Sequence, residues 1–342
     1  MTTQQSPETD DVLVVGAGIA GLMAARRLDA LGYRVRVVDK GRGVGGRMAT
    51  RRVQEAAFDH GAQYLTVRSD TVRALVDEWV REGVLRSWYS RTGEGDSSLR
   101  PGPPIHRYVG ARGMTALPKH LAQGMAVHTG ERVMRLHITC EATTESGRKL
   151  AARSLVLTAP VPQTLALFQQ SAIELDPAQH AELAGIHYAP NLTLLVQLEG
   201  ESGLKGPGCL KGEDDGEPLG WLADNFMKGI NDKPGSLTVQ AGPTFSKARF
   251  DYDEQAIFDE LWPYAQRHLL PVPVAHWQLH RWRYAFPYNP VPERTLRLKG
   301  MPPCFLAGDA FGEGGRVESA ALSGLEAATQ LPLLLPLQHG LH

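Results

Sequence analysis

A chain of 342 residues that is 42% hydrophobic and 21% charged is long and apolar enough for two domains with full cores, so extended disorder is expected only at the termini. A formal net charge of −1 sets up no long-range field, which argues against nucleic acid or an anionic membrane as a partner. Cys140, Cys209 and Cys304 are odd in number and far apart, which fits reduced thiols and excludes a disulfide framework or a CxxC site.

The first eleven residues are polar and carry neither a basic run nor an apolar core of signal type, so a cytoplasmic protein is expected. Residues 12–15 form a short apolar run followed at once by Gly16, Gly18 and Gly21 in GxGxxG spacing. The order predicts strand, tight turn and a helix over residues 19–31. Gly16 permits the turn, Gly18 lets backbone approach a pyrophosphate, and Gly21 lets helix and strand pack closely. Gly16, Gly18, Ile19, Ala20 and Gly21 are therefore candidate phosphate binders, with the N–H groups of the helix start facing the anion. A second strand at residues 34–38 delivers Asp39, about twenty residues on, where a carboxylate can bind both hydroxyls of an adenosine ribose and repels a 2′-phosphate.

Residues 69–82 carry Val72, Leu75, Val76, Trp79 and Val80 at helical spacing and predict an amphipathic helix. Residues 92–104, rich in Gly, Ser and Pro, read as a loop. A helix is expected to about residue 123, strands at residues 126–128 and 132–138, and a buried strand at 155–158. From about residue 167 the pattern becomes antiparallel, with strands at 192–198 and 236–241 around a helix at 253–262 that Pro263 should end or kink for want of an N–H. His276 and His280 have the spacing of a helical metal pair. Trp277, Leu279, Arg281 and Arg283, however, alternate with Gln278, His280, Trp282 and Tyr284, which favours a strand, where four residues span about 13 Å; no metal is expected. The face bearing His280, Trp282, Tyr284 and Phe286 could roof a flat ligand or simply pack in the core. A short strand at residues 304–307 precedes Gly308 and Asp309, a glycine-rich loop, and a helix from about Val317 to Gln330. The apolar residues 331–337 contain two prolines and fall well short of the about 20 needed to span a membrane, so they read as packing or fraying.

Gly45, Gly46 and Arg47, soon after Asp39, resemble the second motif of flavin-dependent amine oxidases, and residues 58–64 (Phe, Asp, His, Gly, Ala, Gln, Tyr) resemble the next segment of that family. Residues 108–122 resemble the segment that returns the chain to the flavin domain, and residues 282–287 look like a segment of the renalase group within the superfamily. The resemblance implies an α/β fold: a Rossmann-like FAD-binding domain built from discontinuous segments (1–69, 105–168, 297–342) and a second α+β substrate domain with a mixed or antiparallel sheet (70–104, 169–296), as in p-hydroxybenzoate hydroxylase and amine oxidases. It also implies noncovalent FAD, no cysteine being well placed for a flavin link. Lys40, Gly46, Arg47, Met48, Gln63 and Val133 would join the cofactor contacts, Arg47 on the pyrophosphate side and Val133 at the adenine. Gly308 and Asp309 would hold the ribityl chain, and the helix start at Val317, Glu318 and Ser319 would face the flavin pyrimidine edge, where its dipole would stabilise reduced flavin.

Gln63 and Tyr64 would lie beside the ring; His106, Trp221 and Asn225 are weaker candidates. Arg316 falls where monoamine oxidases have a cage tyrosine, a place better suited to an anionic or amide-bearing dinucleotide than to an amine. The renalase resemblance implies hydride transfer from 2- or 6-dihydropyridine isomers of NAD(P)H to flavin N5, with O2 reduced to H2O2. A flavin amine oxidase or desaturase, and a flavoprotein used only for binding or redox sensing, are the rival classes.

Overall fold

A computed structural model of the protein describes residues 9–91, 104–212 and 216–337. The expectations for most of the polar N-terminus and for nearly all of the loop at 92–104 fall outside these residues. The described residues form two compact units, one from the segments Met1–Gly46, Pro118–His187 and Pro287–His342, the other from Arg47–Leu117 and Tyr188–Phe286.

In the first unit the strands lie in the order Leu296–Arg297, Cys304–Leu306, Lys149–Leu157, Asp10–Val15, Val35–Asp39, Ala126–Thr129. All neighbours from Cys304–Leu306 to Ala126–Thr129 are parallel, and Leu296–Arg297 is an antiparallel edge. The near end of Lys149–Leu157 also pairs with Glu141–Thr144, which pairs in turn with Val133–Leu136. Val12, Leu13 and Val14 are fully buried, as a strand covered on both faces requires. From Asp10–Val15 the chain passes through the helix Ile19–Ala30 to Val35–Asp39 on one side, and it fills the other side with Lys149–Leu157. That reversal is a topological switch point, which puts a crevice at the carboxyl end of Asp10–Val15. Helix Val317–Gln330 packs on Ile19–Ala30 so closely that a Cβ on Gly324 would lie 2.0 Å from the Ala20 carbonyl oxygen. The tail packs rather than frays at its start: Leu331 and Leu335 are buried, and the Tyr33 hydroxyl donates to the Leu335 carbonyl.

The second unit is built on a five-stranded sheet in the order Cys209–Lys211, Leu219–Asp224, Ser236–Ala241, His187–Leu198, Val274–Tyr288. One face packs Leu192, Leu194, Val239 and Leu279 against Ile257, Leu261 and Trp262 of the helix Glu254–Gln266, with Phe258 stacked on Trp277 at 4.5 Å. The other face receives the hairpin Thr50–Val53 and Ala56–Asp59 through Ala56, Phe58 and Leu195. The helix continues past Pro263 to Gln266, so of the two expected outcomes, an end or a kink, the end does not occur. The carbonyl deprived of its N–H partner belongs to Asp259, an exposed residue that water can serve.

The unit boundaries also differ from those expected. Residues 47–69 belong to the second unit because Asp59 and Gly61 are tied to its sheet: the Thr238 hydroxyl donates to the Asp59 carbonyl and the Gln240 amide to that of Gly61. Residues 105–117 follow them, since Leu65 and Tyr108 exchange two backbone hydrogen bonds and the Met114 N–H donates to the Asp59 carboxylate. Residues 169–187 and 287–296 join the first unit: Gln179 bonds the backbone of Arg297 and Lys299, and Val291 that of Ala310 and Gly312.

Candidate functional site

The crevice end of the first unit gathers the glycine turn, Asp39 and the loops after Leu157 and Leu306. Gly16 has φ +116°, and a Cβ there would meet the Thr158 hydroxyl oxygen at 2.3 Å; a Cβ on Gly21 would meet the Gly16 carbonyl oxygen at 1.9 Å. Both glycines are demanded by packing. Gly18 is different: its φ is −76°, and a Cβ there would meet nothing within 4 Å. The fold itself therefore does not require glycine at this position, and the space it faces suits a phosphate. No side chain caps the helix that begins at Ile19, so the first N–H groups of Ile19, Ala20 and Gly21 remain for an anion.

Asp39 Oδ2 accepts from the Ala17 N–H and Oδ1 from the Gly41 N–H, both at 2.6 Å. These two bonds fix the carboxylate plane and leave lone pairs for a ribose diol. The Gly45 N–H donates to the Ala17 carbonyl, and a Cβ on Gly46 (φ +52°) would lie 3.7 Å from the Gly18 Cα, so the second glycine motif folds directly onto the first. Lys40 reaches the Gln163 amide oxygen at 2.7 Å, and its ammonium pKa is lowered, chiefly by burial. Gly308 (φ +149°) donates its N–H to the Ser323 hydroxyl, which fixes the loop carrying Asp309 onto the helix Val317–Gln330. Asp309, Glu318 and Ser319 are buried at that helix start, Val317 is half-buried, and Arg316 is its exposed N-cap. Val133 begins a half-buried edge strand opposite Thr144. The open cradle at Gly18, the uncapped helix and the oriented Asp39 carboxylate together fit a dinucleotide.

The second unit holds the other expected residues. The Arg47 guanidinium donates to the carbonyls of Tyr284 and Ala285 and lies over the Tyr188 ring, which stands edge-on to Tyr284; Met48 is buried. His280 and Trp282 share a face of the predicted strand and meet His60, which sequence reasoning passed over: ring centres lie 4.7 Å and 5.1 Å from His60, and the Trp282 indole donates to the His60 carbonyl. Phe286, assigned to the same face, is exposed. Burial and, secondarily, the charges of His280 and Arg51 pull the His60 imidazole down to about 3; burial and then Arg51 pull His280 to about 4. Both rings are neutral at pH 7.

Gln63 is locked by its amide on the carbonyls of Asp59 and Gly61, and the buried Lys228 stands 3.4 Å from its oxygen. Tyr64 opens a second aromatic cluster. Its ring lies 5.6 Å from Trp221, and the Arg107 guanidinium lies over Tyr64 at 5.2 Å and Tyr89 at 4.8 Å. Lys228 lies 5.0 Å from the Trp88 ring centre. Burial, then a hydrogen bond with Cys209, pushes the Tyr89 phenol up. Asn225 is buried and structural, bonding Ser236, Thr238 and the Asp59 N–H; His106 stands 6.1 Å from the Tyr108 ring on the hairpin strand. Lys228, Arg107, Trp88 and Tyr89 gave no signal in the sequence, whereas Asp59 and His60 lie inside the 58–64 motif itself.

Residues 14–79 match the model of an NAD(P)-binding Rossmann-like domain, and residues 82–332 that of flavin containing amine oxidoreductase. Putrescine oxidase of Kocuria rosea is 42% identical over 102 residues, 30% of this chain and 20% of that protein. A neurosporene-forming phytoene desaturase of Cereibacter sphaeroides is 35% identical over 99 residues, 29% of this chain and 17% of that protein. The matched stretches thus span a fifth or less of these curated relatives. A solved structure of wild-type putrescine oxidase bound to putrescine superposes with a TM-score of 0.69 at 15% identity, covering 95% of this chain and 99% of the other, a likeness of fold. With the second family model spanning residues 82–332, well over half of the sequence, the chain belongs to the flavin containing amine oxidoreductase family.

Proposed function

We propose that the protein is an FAD-dependent oxidase of renalase type, which oxidises 2- or 6-dihydropyridine isomers of NAD(P)H to NAD(P)+ and passes the electrons to oxygen, giving hydrogen peroxide. In the first unit Gly16, Gly18, Ile19, Ala20, Gly21 and Gly46 would hold the FAD pyrophosphate, Asp39 the adenosine ribose, Val133 the adenine, and Gly308, Asp309 and the helix start at Val317, Glu318 and Ser319 the flavin half. When bound, FAD supplies the two-electron acceptor, taking hydride at N5 and returning to its oxidised form with oxygen. Cys304 is fully buried and burial pushes its thiol up, which supports noncovalent attachment.

The observation that carries the substrate class is the charge of the aromatic cluster in the second unit. Arg107 and Lys228 are both buried there, and the carboxylate beside Lys228, Asp59, is taken by that ammonium, the Thr50 hydroxyl and the Met114 N–H. An alkylammonium would be desolvated beside the Arg107 guanidinium with no spare carboxylate among the described residues, whereas a dinucleotide brings negative charge. A dihydropyridine that loses hydride becomes an aromatic cation, so no proton has to be removed from carbon. Neutral His60 and His280 and the surrounding rings then need only position a flat substrate and exclude water.

The rival reading, amine oxidation, draws on the likeness to putrescine oxidase. Anaerobic titration of the flavin absorbance separates the two. The mixed isomers made by borohydride reduction of NAD+ should bleach it rapidly, pure 4-dihydro NADH at least roughly a hundredfold more slowly because its hydride carbon lies elsewhere on the ring and a misplacement of even about 1 Å costs that much, and putrescine not at all. Admission of air should restore the colour with release of peroxide. Bleaching by putrescine with no response to the isomers would overturn the proposal.

A further inference from the structure

We infer that Arg107 is the anchor for a phosphate group of the substrate, an assignment that rests on the dinucleotide reading above. Arg107 is 8% exposed and its guanidinium lies over the rings of Tyr64, at 5.2 Å, and Tyr89, at 4.8 Å. Its hydrogen bonding is nearly unused: Nη1 donates to the Ile105 carbonyl at 3.4 Å, Nε is buried without a partner, and no carboxylate among the described residues pairs with it. A guanidinium withdrawn from water needs a counter-charge. With Nη1 spent on a carbonyl, the edge left is the Nε and Nη2 fork, whose two parallel donors match two oxygens of one phosphate.

A second donor in the same place points the same way. The Trp221 indole Nε1 is also buried without a partner, and its ring borders Tyr64 on which Arg107 is stacked. The cluster therefore offers two orphaned N–H donors among the described residues, which an oxyanion would satisfy. Tyr64, Tyr89 and Trp221 are each half-buried, so the cluster keeps contact with solvent.

Calorimetric titration of the flavin-loaded protein tests this without turnover, using nicotinamide mononucleotide, nicotinamide riboside and inorganic phosphate. The mononucleotide should bind roughly ten- to hundredfold more tightly than the riboside, the range expected for charge-assisted hydrogen bonds to one group. Arg107→Gln should erase that preference and leave riboside binding unchanged, Arg107→Lys should keep part of it, and Trp221→Phe should reduce it severalfold. Thermal melting checks that each variant is folded, and the lysine and phenylalanine variants serve if the glutamine variant is not. Equal affinity for mononucleotide and riboside in the parent protein, equal loss for both in Arg107→Gln, or a mononucleotide no tighter than inorganic phosphate would overturn the assignment. A phosphate preference with no bleaching by any dihydropyridine isomer would leave the anchor standing and remove the proposed reaction; bleaching without the preference would remove the anchor alone.

Discussion

Lys228 Nζ stands 2.8 Å from Asp59 Oδ2, and neither side chain reaches solvent. Burial pulls the ammonium pKa down and the carboxylate opposes that pull. Asp59 also accepts from the Thr50 hydroxyl at 2.6 Å and the Met114 N–H at 2.8 Å, so one carboxylate joins three separate stretches of the second unit. Removing its cation with Lys228→Met leaves a buried charge held by neutral donors and should cost about 3–5 kcal/mol in urea denaturation. Adding Asp59→Asn should recover part of that loss. A single variant as stable as the parent would contradict the pairing.

Acid should destabilise the protein through the ring cluster. His60 and His280 have folded values of about 3 and about 4 against an ordinary value of 6.5. Because the folded values are depressed, the stability contributed by the neutral rings is complete above about pH 6.5 and is lost as pH falls toward 4 and then 3. At pH 5 the loss from His60 is about 2 kcal/mol, and less from His280, which keeps some solvent contact. Denaturation at pH 7 and pH 5 should show this decline, and His60→Phe should flatten it.

Two glycines of one motif should fail in different ways. Gly18→Ala places its Cβ in open space, so the polypeptide should melt within a few degrees of the parent yet be purified with little flavin. Gly21→Ala drives its Cβ to 1.9 Å from a carbonyl oxygen and should lower the yield of folded protein itself. Absorbance at the flavin band against protein, read beside the melting curve, separates the outcomes; a fully yellow Gly18→Ala protein would count against the cradle.

Asp39→Asn keeps the shape of the side chain but turns an amide N–H toward either the Ala17 or the Gly41 N–H, each now bonded at 2.6 Å. Flavin affinity should fall roughly ten- to hundredfold, since each bond to the charged oxygen is worth about 1.5–3 kcal/mol. Fluorescence of released flavin on dilution measures it. Unaltered affinity would assign Asp39 to the turn alone.

The cradle of the first unit was legible in the sequence because its chemistry is local. An apolar strand, three glycines, a helix and an acid at the end of the next strand lie within thirty or so residues, and the structure has them as Asp10–Val15, Ile19–Ala30 and Val35–Asp39. The alternation around His280 and Trp282 was legible for the same reason, since a strand's period of two is written in consecutive residues and the structure has the strand Val274–Tyr288.

Tertiary structure alone decided where the units divide, that Pro263 lies within a helix, and which charges meet. The resemblance put residues 47–69 in the nucleotide domain, but hydrogen bonds from Thr238 and Gln240 hold them to the other sheet. Asp59 finds Lys228, and Tyr64 finds Arg107 and Trp221, across separations that leave no periodic trace. A buried ion pair or a stacked guanidinium is specified by distance and desolvation rather than by spacing along the chain, so the sequence determined the elements and the cradle, and only the folded chain brought these partners together.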